Sequence, residues 1–183
     1  MNPRHIRIGK EGYDALAKQD MTVARSILEK ALTDIRDPDR GWMRGGWGQA
    51  DGPGCLNTRL TAAMSSFAKV PISGPFGANL FFESHPQLQL LFDAALSSIK
   101  HGRVVVGLEW EDAPVEHTTV TRIIRWNDDL GRTAQDIELL LQNLIRVCRK
   151  VERNQVAARI AQFSAVDAAE AAIPQHVYVQ QLG

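Results

Sequence analysis

The sequence of 183 residues has no excess of charge, since 21 basic side chains balance 21 acidic ones. A nucleic-acid-binding domain is usually clearly basic, so a nucleic-acid partner is not expected. The sequence has only two cysteines, and Cys55 and Cys148 fit neither a zinc motif nor a disulfide framework. No apolar run approaches the ~20 residues that cross a bilayer, and no secretory segment is visible. These absences indicate a cytoplasmic protein without membrane contact, and we expect no cofactor and no metal site.

The length and composition are those of one globular domain. The hydrophobic fraction of 44% and the charged fraction of 23% are ordinary for such a domain. We expect an N-terminal arm over residues 1–20 and a single domain over residues 21–150. An alanine-rich C-terminal helix and tail over residues 151–183 is expected to pack on that domain.

Apolar residues at helical spacing predict most of the secondary structure. The predicted helices cover residues 22–35, 56–67 and 86–100, a fourth begins at Thr133, and the alanine-rich stretch adds another that ends before Pro174. Two β-prone runs, 103–110 and 118–126, indicate an antiparallel pair, although Val120, Ile123 and Ile124 also fit a helical period. The predicted fold class is therefore α+β, mainly α: four to five helices around one core, with a small antiparallel β element.

The most unusual segment is a glycine- and tryptophan-rich loop, residues 41–54. It holds six of the 14 glycines and two of the four tryptophans. Trp42, Arg44 and Trp47 belong to the residue types that are enriched at interaction hot spots. We expect this loop to lie close to the turn at 126–132. The candidate binding residues are therefore Trp42, Arg44, Trp47, Trp126, Asp128 and Arg132. In the alternative, both loop tryptophans are buried and only anchor the loop.

A thiol nucleophile is the sharpest catalytic hypothesis. Cys55 stands at the start of a predicted helix, where the helix dipole can lower a thiol pKa. The chain order Cys55, His117, Asn127 is that of papain-like hydrolases. In the alternative, Cys55 is a small buried packing residue.

Several motifs occur in an order that is similar to a known family. They are Gly41-Trp42-x-x-Gly45, Asp51-Gly52, Cys55-Leu56, Ala62-Ala63, Trp126-Asn127-Asp128 and Gly131-Arg132-Thr133. This order, over residues 22–148, resembles the small bacterial and phage-associated domains of unknown function 6197. The chain departs from that pattern at Asn57-Thr58, where the family often has Gly-Ala. The resemblance implies a fold unit and a site, but no activity.

These observations lead to two functional hypotheses. The first is a non-enzymatic protein-interaction or regulatory module of the phage or mobile-element type, which acts through the loop 41–54. Its expected partner is a protein, and a homodimer is left open. The alternative is a cysteine-dependent hydrolase or transferase that uses Cys55, His117 and Asn127. An enzyme needs the thiol within hydrogen-bond reach of an imidazole, whereas an interaction module needs an exposed apolar patch.

Overall fold

The chain folds around a core of packed helices. The computed structural model describes residues 8–44, 48, 52–97, 101–106, 109–114, 118–129 and 131–171. Its helices are α1 (Lys10–Leu16), α2 (Thr22–Arg36), α3 (Leu56–Ala68), α4 (Gly74–Ser84), α5 (Pro86–Ala95), α6 (Thr119–Asp128) and α7 (Ala134–Ala171). Two strands, β1 (His101–Val106) and β2 (Glu109–Pro114), pair in antiparallel register with Val104 opposite Glu111. Within these described ranges, no helix combines the length and the apolar character needed to cross a bilayer.

Helix α2 lies at the centre, because it packs on α7 and on α3. Its buried apolar residues are Ala24, Ile27, Leu28, Ala31 and Ile35. They follow the helical period that predicted this helix from the sequence. Opposite it, α7 buries Ile137, Leu140, Leu141, Leu144, Ile145, Cys148 and Val151. The boundaries of α2 and the start of α3 were therefore close to those that the sequence indicated.

Charged pairs cross the outer edge of the α2–α7 contact. Arg25 Nε lies 3.0 Å and 3.1 Å from the two carboxylate oxygens of Glu152. Arg149 donates to Glu29 at 2.9 Å, and Arg36 donates to Glu138 at 2.7 Å. The bond to Glu152 raises the pKa of Arg25. These partly exposed pairs align the two helices, although each contributes only about 0–1 kcal/mol to the free energy of unfolding.

The predicted α+β class is wrong, because the core of the described residues is all-helical: it is built from helices and their immediate flanks, with no described contribution from a β element. The error lies in residues 118–126, which were predicted as the second strand of the pair but form α6. Val120, Ile123 and Trp126 share the buried face of this helix. Their β-branched and aromatic composition favours strands, but burial at helical spacing overrides that preference.

Three further regions differ from the sequence-based expectation. Within the predicted arm 1–20, α1 forms and its Leu16 is fully buried in the core. The glycines and prolines of residues 71–77 favour a loop, yet α4 begins at Gly74, with Pro75 in its first turn. Proline is tolerated there because the first helical N–H groups have no intrahelical acceptor. The fourth helix and the alanine-rich helix are one continuous element, α7.

The cap of α6 offers a test of its helical state. Thr118 Oγ1 accepts a hydrogen bond from the Thr121 amide at 3.2 Å. We expect Thr118→Ala to lower the free energy of unfolding by about 1 kcal/mol, and Thr118→Asn to retain most of it. Urea denaturation would measure both. If Thr118→Asn is the more harmful change, as in a strand, the helical assignment is contradicted, because asparagine is disfavoured in strands.

Candidate functional site

Hydrogen bonds join residues near the two ends of the loop 41–54 to each other and to α3. Met43 N donates to Gly54 O at 3.1 Å, and Arg59 Nη2 donates to Gly52 O at 2.6 Å. A Cβ atom on Gly54 would lie 2.6 Å from that Arg59 nitrogen and 2.9 Å from a Thr58 methyl. Only glycine fits such a close approach. Gly54 therefore allows the loop to pack closely against α3.

Asn127 joins the loop to α3 and α6. Its Oδ1 accepts from Trp42 Nε1 at 2.7 Å and from the Leu56 backbone N–H at 2.9 Å. Its Nδ2 donates to Asp128 Oδ1 at 2.7 Å. Cys55, the N-cap residue of α3, makes no capping bond with its own side chain. The fully buried side-chain amide of Asn127, on a helix remote in sequence, therefore caps α3. Its bond to Trp42 also confirms the expected proximity of the loop 41–54 to the turn at 126–132.

Arg132 completes the turn after α6. Its guanidinium carbon lies 4.0 Å from the centre of the Trp126 ring, a cation–π contact. Nε donates to Trp126 O at 3.0 Å, and Nη2 donates to Asp129 at 2.9 Å. Burial lowers the pKa of Arg132, while Asp129 opposes that shift. Both Trp126 and Arg132 are buried, so these two predicted binding residues face the protein interior.

The other predicted binding residues are placed differently. The Trp42 ring is half-buried and packs against the core, whereas Arg44 is exposed. Asp128 is half-buried and accepts the Asn127 amide. Trp47 lies outside the described residues. Trp42 therefore helps to anchor the loop. The alternative in which both loop tryptophans are buried stays a prediction, as does the loop as a binding surface.

Cys55 occupies the N-cap of α3, as the sequence indicated. It is 95% buried, since its relative exposure is 5%, and its Sγ lies 3.4 Å from Thr58 Oγ1. The Leu56 N–H beside it, which an oxyanion would need, is already bound to Asn127. His117 lies outside the described residues. The Cys55–His117–Asn127 hypothesis thus stays a prediction. Asn127 Oδ1, which would have to bind the histidine, already accepts two hydrogen bonds, from Trp42 and Leu56.

No metal site is present among the residues whose side chains the structure describes. Among residues 8–44, 48, 52–97, 118–129 and 131–166, whose side chains the structure describes, no group of three His, Cys, Asp or Glu residues could hold an ion. The polar groups around Asn127 instead bond to each other. Taken together, they form a structural junction whose chemistry is hydrogen bonding and cation–π contact.

Sequence reasoning missed two surfaces that stand out in the structure. One is a cavity beside Asp34, a carboxylate on the buried face of α2. The signal was present, because Asp34 follows Ala31 by three residues and Ile27 by seven, which places it on the apolar face. The other is a set of exposed apolar residues in the alanine-rich part of α7. There the spacing of Val156, Ile160 and Phe163 was the available signal.

Comparisons of the chain with protein-family models, with curated proteins and with solved structures find no match. The resemblance to the phage-associated domains therefore stays a prediction that depends on the motifs alone.

The role of Asn127 predicts a specific energetic coupling. Asn127→Ala should lower the free energy of unfolding by about 2–4 kcal/mol, because it leaves the buried Leu56 N–H and the part-buried Trp42 Nε1–H without an acceptor. Trp42→Phe removes one of those donors and should cost about 1–2 kcal/mol. In the double variant the shared bond is lost only once, so the two costs should not add.

Urea denaturation of the four proteins measures this coupling. Trp110→Phe serves as a control for loss of tryptophan fluorescence, and circular dichroism reports unfolding independently of it. Strict additivity of Asn127→Ala and Trp42→Phe would contradict the shared bond.

The two thiols give a second prediction. Burial, with a smaller contribution from Glu152, raises the pKa of Cys148 from 9.0 to about 12. The neutral thiol therefore contributes fully to stability below pH 9, and this contribution is lost as the pH rises toward 12. We expect iodoacetamide to leave Cys148 unmodified between pH 5 and pH 9 until urea unfolds the chain, as mass spectrometry would show.

Cys55 should be protected in the same experiment, because it is buried. His117→Ala is the control for the catalytic hypothesis. Rapid modification of Cys55 at pH 6 that His117→Ala abolishes would contradict the packing role and support a thiol nucleophile.

Proposed function

We propose that this chain is a non-enzymatic interaction module that associates with a second copy of itself through the far part of α7. The observation that carries the proposal is the exposure of this helix. Every residue from Val156 to Val166 is exposed, whereas the same helix is buried on one face from Ile137 to Val151. The helix thus continues past the body of the domain.

The body of the domain ends against α7 at Gln155. Its Nε2 donates to Ala17 O and to Gln19 O, both at 2.9 Å. These bonds hold the turn between α1 and α2 against the helix. Val151 is the last α7 residue in the described core. Beyond Gln155, the described side chains of α7 lie in solvent, so the apolar ones among them are not needed for the core.

The exposed residues form one face of the helix, here called the α7 stripe: Val156, Ile160, Phe163 and Val166. At ~100° per residue they span an arc of about 120°. The exposed fraction is 61% for Ile160 and 70% for Phe163. A solvated helix rich in alanine does not require four large apolar residues on one side, because alanine alone has the highest helix propensity. Such a stripe is typical of helix-to-helix association.

The charges beside the stripe favour a second copy as the partner. In an antiparallel pair with a two-fold axis at Phe163, Ile160 of one copy lies opposite Val166 of the other. The same register places exposed Arg159 opposite position 167, which is an aspartate in the sequence. One self-complementary patch of this kind satisfies the symmetry of a two-fold dimer. In this register Phe163 meets its own copy and Ile160 meets Val166, so three of the four stripe residues and one charge pair agree.

A substitution on the stripe should separate association from folding. We expect Phe163→Glu to raise the dimer dissociation constant at least tenfold, which corresponds to about 1.4 kcal/mol. The effect is large because a two-fold interface contains each substitution twice. Sedimentation equilibrium measures the dissociation constant, and circular dichroism checks the fold. Ala165→Glu, on the exposed opposite side of the helix, is the matched control and should change little.

A charge exchange tests the register. Arg159→Glu and Asp167→Arg should each weaken the dimer, and the double variant should recover most of the affinity. A wild-type chain that remains monomeric at high concentration would refute self-association. A dimer that tolerates Phe163→Glu would show that another surface forms it.

A further inference from the structure

A cavity of about 790 Å³ opens between α2, α3 and the segment that joins α3 to α4. Its volume lies within the range of small-molecule sites. Asp34 and Lys30 of α2 line one side, and Arg40 lies beside them. One wall is a row of hydroxyl residues of α3, and the opposite wall contains Pro71, Ile72 and Pro75. The cavity is thus polar on one side and apolar on the other.

Asp34 is the unusual group in this cavity. Its side chain is only 4% exposed, and both cations near it bind the same oxygen. Lys30 Nζ lies 2.6 Å and Arg40 Nη1 lies 3.2 Å from Oδ1. The other oxygen, Oδ2, is buried and has no hydrogen-bond partner. A buried carboxylate oxygen without a donor is costly, and a cationic donor is its strongest partner.

The hydroxyl wall adds acceptors. The Thr61 hydroxyl donates to Asn57 O and Thr58 O, each at 3.0 Å, and the Ser65 hydroxyl donates to Thr61 O at 2.8 Å. Ser65 Oγ also accepts the Ile72 N–H at 2.8 Å, so one of its lone pairs is already used, whereas no group in the described residues donates to Thr61 Oγ1. Thr61 Oγ1 is therefore the better acceptor for an N–H donor of a ligand.

The rim has the opposite character. The side chains of Lys30 and Arg40 are 41% and 37% exposed, so their remaining N–H groups can meet a ligand anion. Arg40 makes the longer of the two bonds to Asp34. Because Oδ2 is buried, a ligand group can reach it only if side chains beside Asp34 move. A ligand with an ammonium group, a carboxylate and an apolar side chain would satisfy all three parts of the cavity.

We infer that this cavity binds a short peptide or amino acid with a free ammonium group. The ammonium donates to Asp34 Oδ2, the carboxylate lies near Lys30 and Arg40, and the aliphatic side chain contacts Pro71 and Ile72. This inference is independent of the α7 stripe, which lies on a different part of the chain.

Calorimetric titration with the dipeptide leucyl-alanine tests the inference. We expect saturable binding to the full chain, and at least tenfold weaker binding of N-acetyl-leucyl-alanine, which lacks the ammonium. Leucyl-alanine amide, which lacks the carboxylate, should bind more weakly than the parent but better than the acetylated form. Absence of binding at 10 mM leucyl-alanine, or equal binding of the acetylated form, overturns the inference.

Asp34→Asn should reduce the affinity for leucyl-alanine at least tenfold. Asp37→Asn is the matched control, because Asp37 lies 4.0 Å from Arg40 and is more exposed. If Asp34→Asn does not fold, the amide chemical-shift changes of the wild-type protein on addition of leucyl-alanine locate the binding site instead. Shifts centred on Ser65 and Ile72 support the site, and shifts elsewhere overturn it, as does unchanged affinity in a folded Asp34→Asn protein.

Discussion

The buried start of α3 is the constraint on which the surrounding structure depends. The first residues of this helix, Leu56 to Arg59, are all buried, so its terminal N–H groups have little access to water. Cys55 provides no side-chain cap, and Asn127 reaches across from α6 to bind the Leu56 N–H. The same oxygen binds Trp42, which ties the glycine-rich loop to this point. One amide thus satisfies a helix end and fixes the position of a loop.

This arrangement explains why the unusual loop and the Trp-Asn-Asp turn are far apart in the sequence but adjacent in space. The loop needs glycine where it crosses α3, because a side chain at Gly54 would collide with Arg59. The turn needs Arg132 over Trp126 to close the end of α6. These residue types suggested binding from sequence alone, and in the structure most of the described ones make intramolecular contacts instead.

The sequence predicted elements well where local signals agreed. The fourth helix was predicted to begin at Thr133, and Thr133 and Asp136 form a reciprocal cap there, with bonds of 3.0 Å and 3.3 Å. Local signals failed at α6, whose valine and isoleucine residues favour a strand, and at α4, whose glycine and proline suggested a loop. Tertiary burial decided both cases against the local preference. At α6 the helical spacing of Val120 and Ile123 was the one local signal that agreed with the observed helix. The Asn127 cap was unpredictable, since its two donors are distant in sequence.

Helix α7 has two segments with different surroundings. Up to Val151 its apolar residues belong to the core, and the pairs of Arg25 with Glu152 and of Glu29 with Arg149 hold its outer edge. After Gln155 the same helical backbone carries large apolar residues that the fold does not bury. Because the domain is complete without them, changes in this region should alter association while leaving the folded domain intact. The core-forming and the exposed apolar residues of α7 thus lie in consecutive segments of one helix, and we propose that the exposed segment serves association.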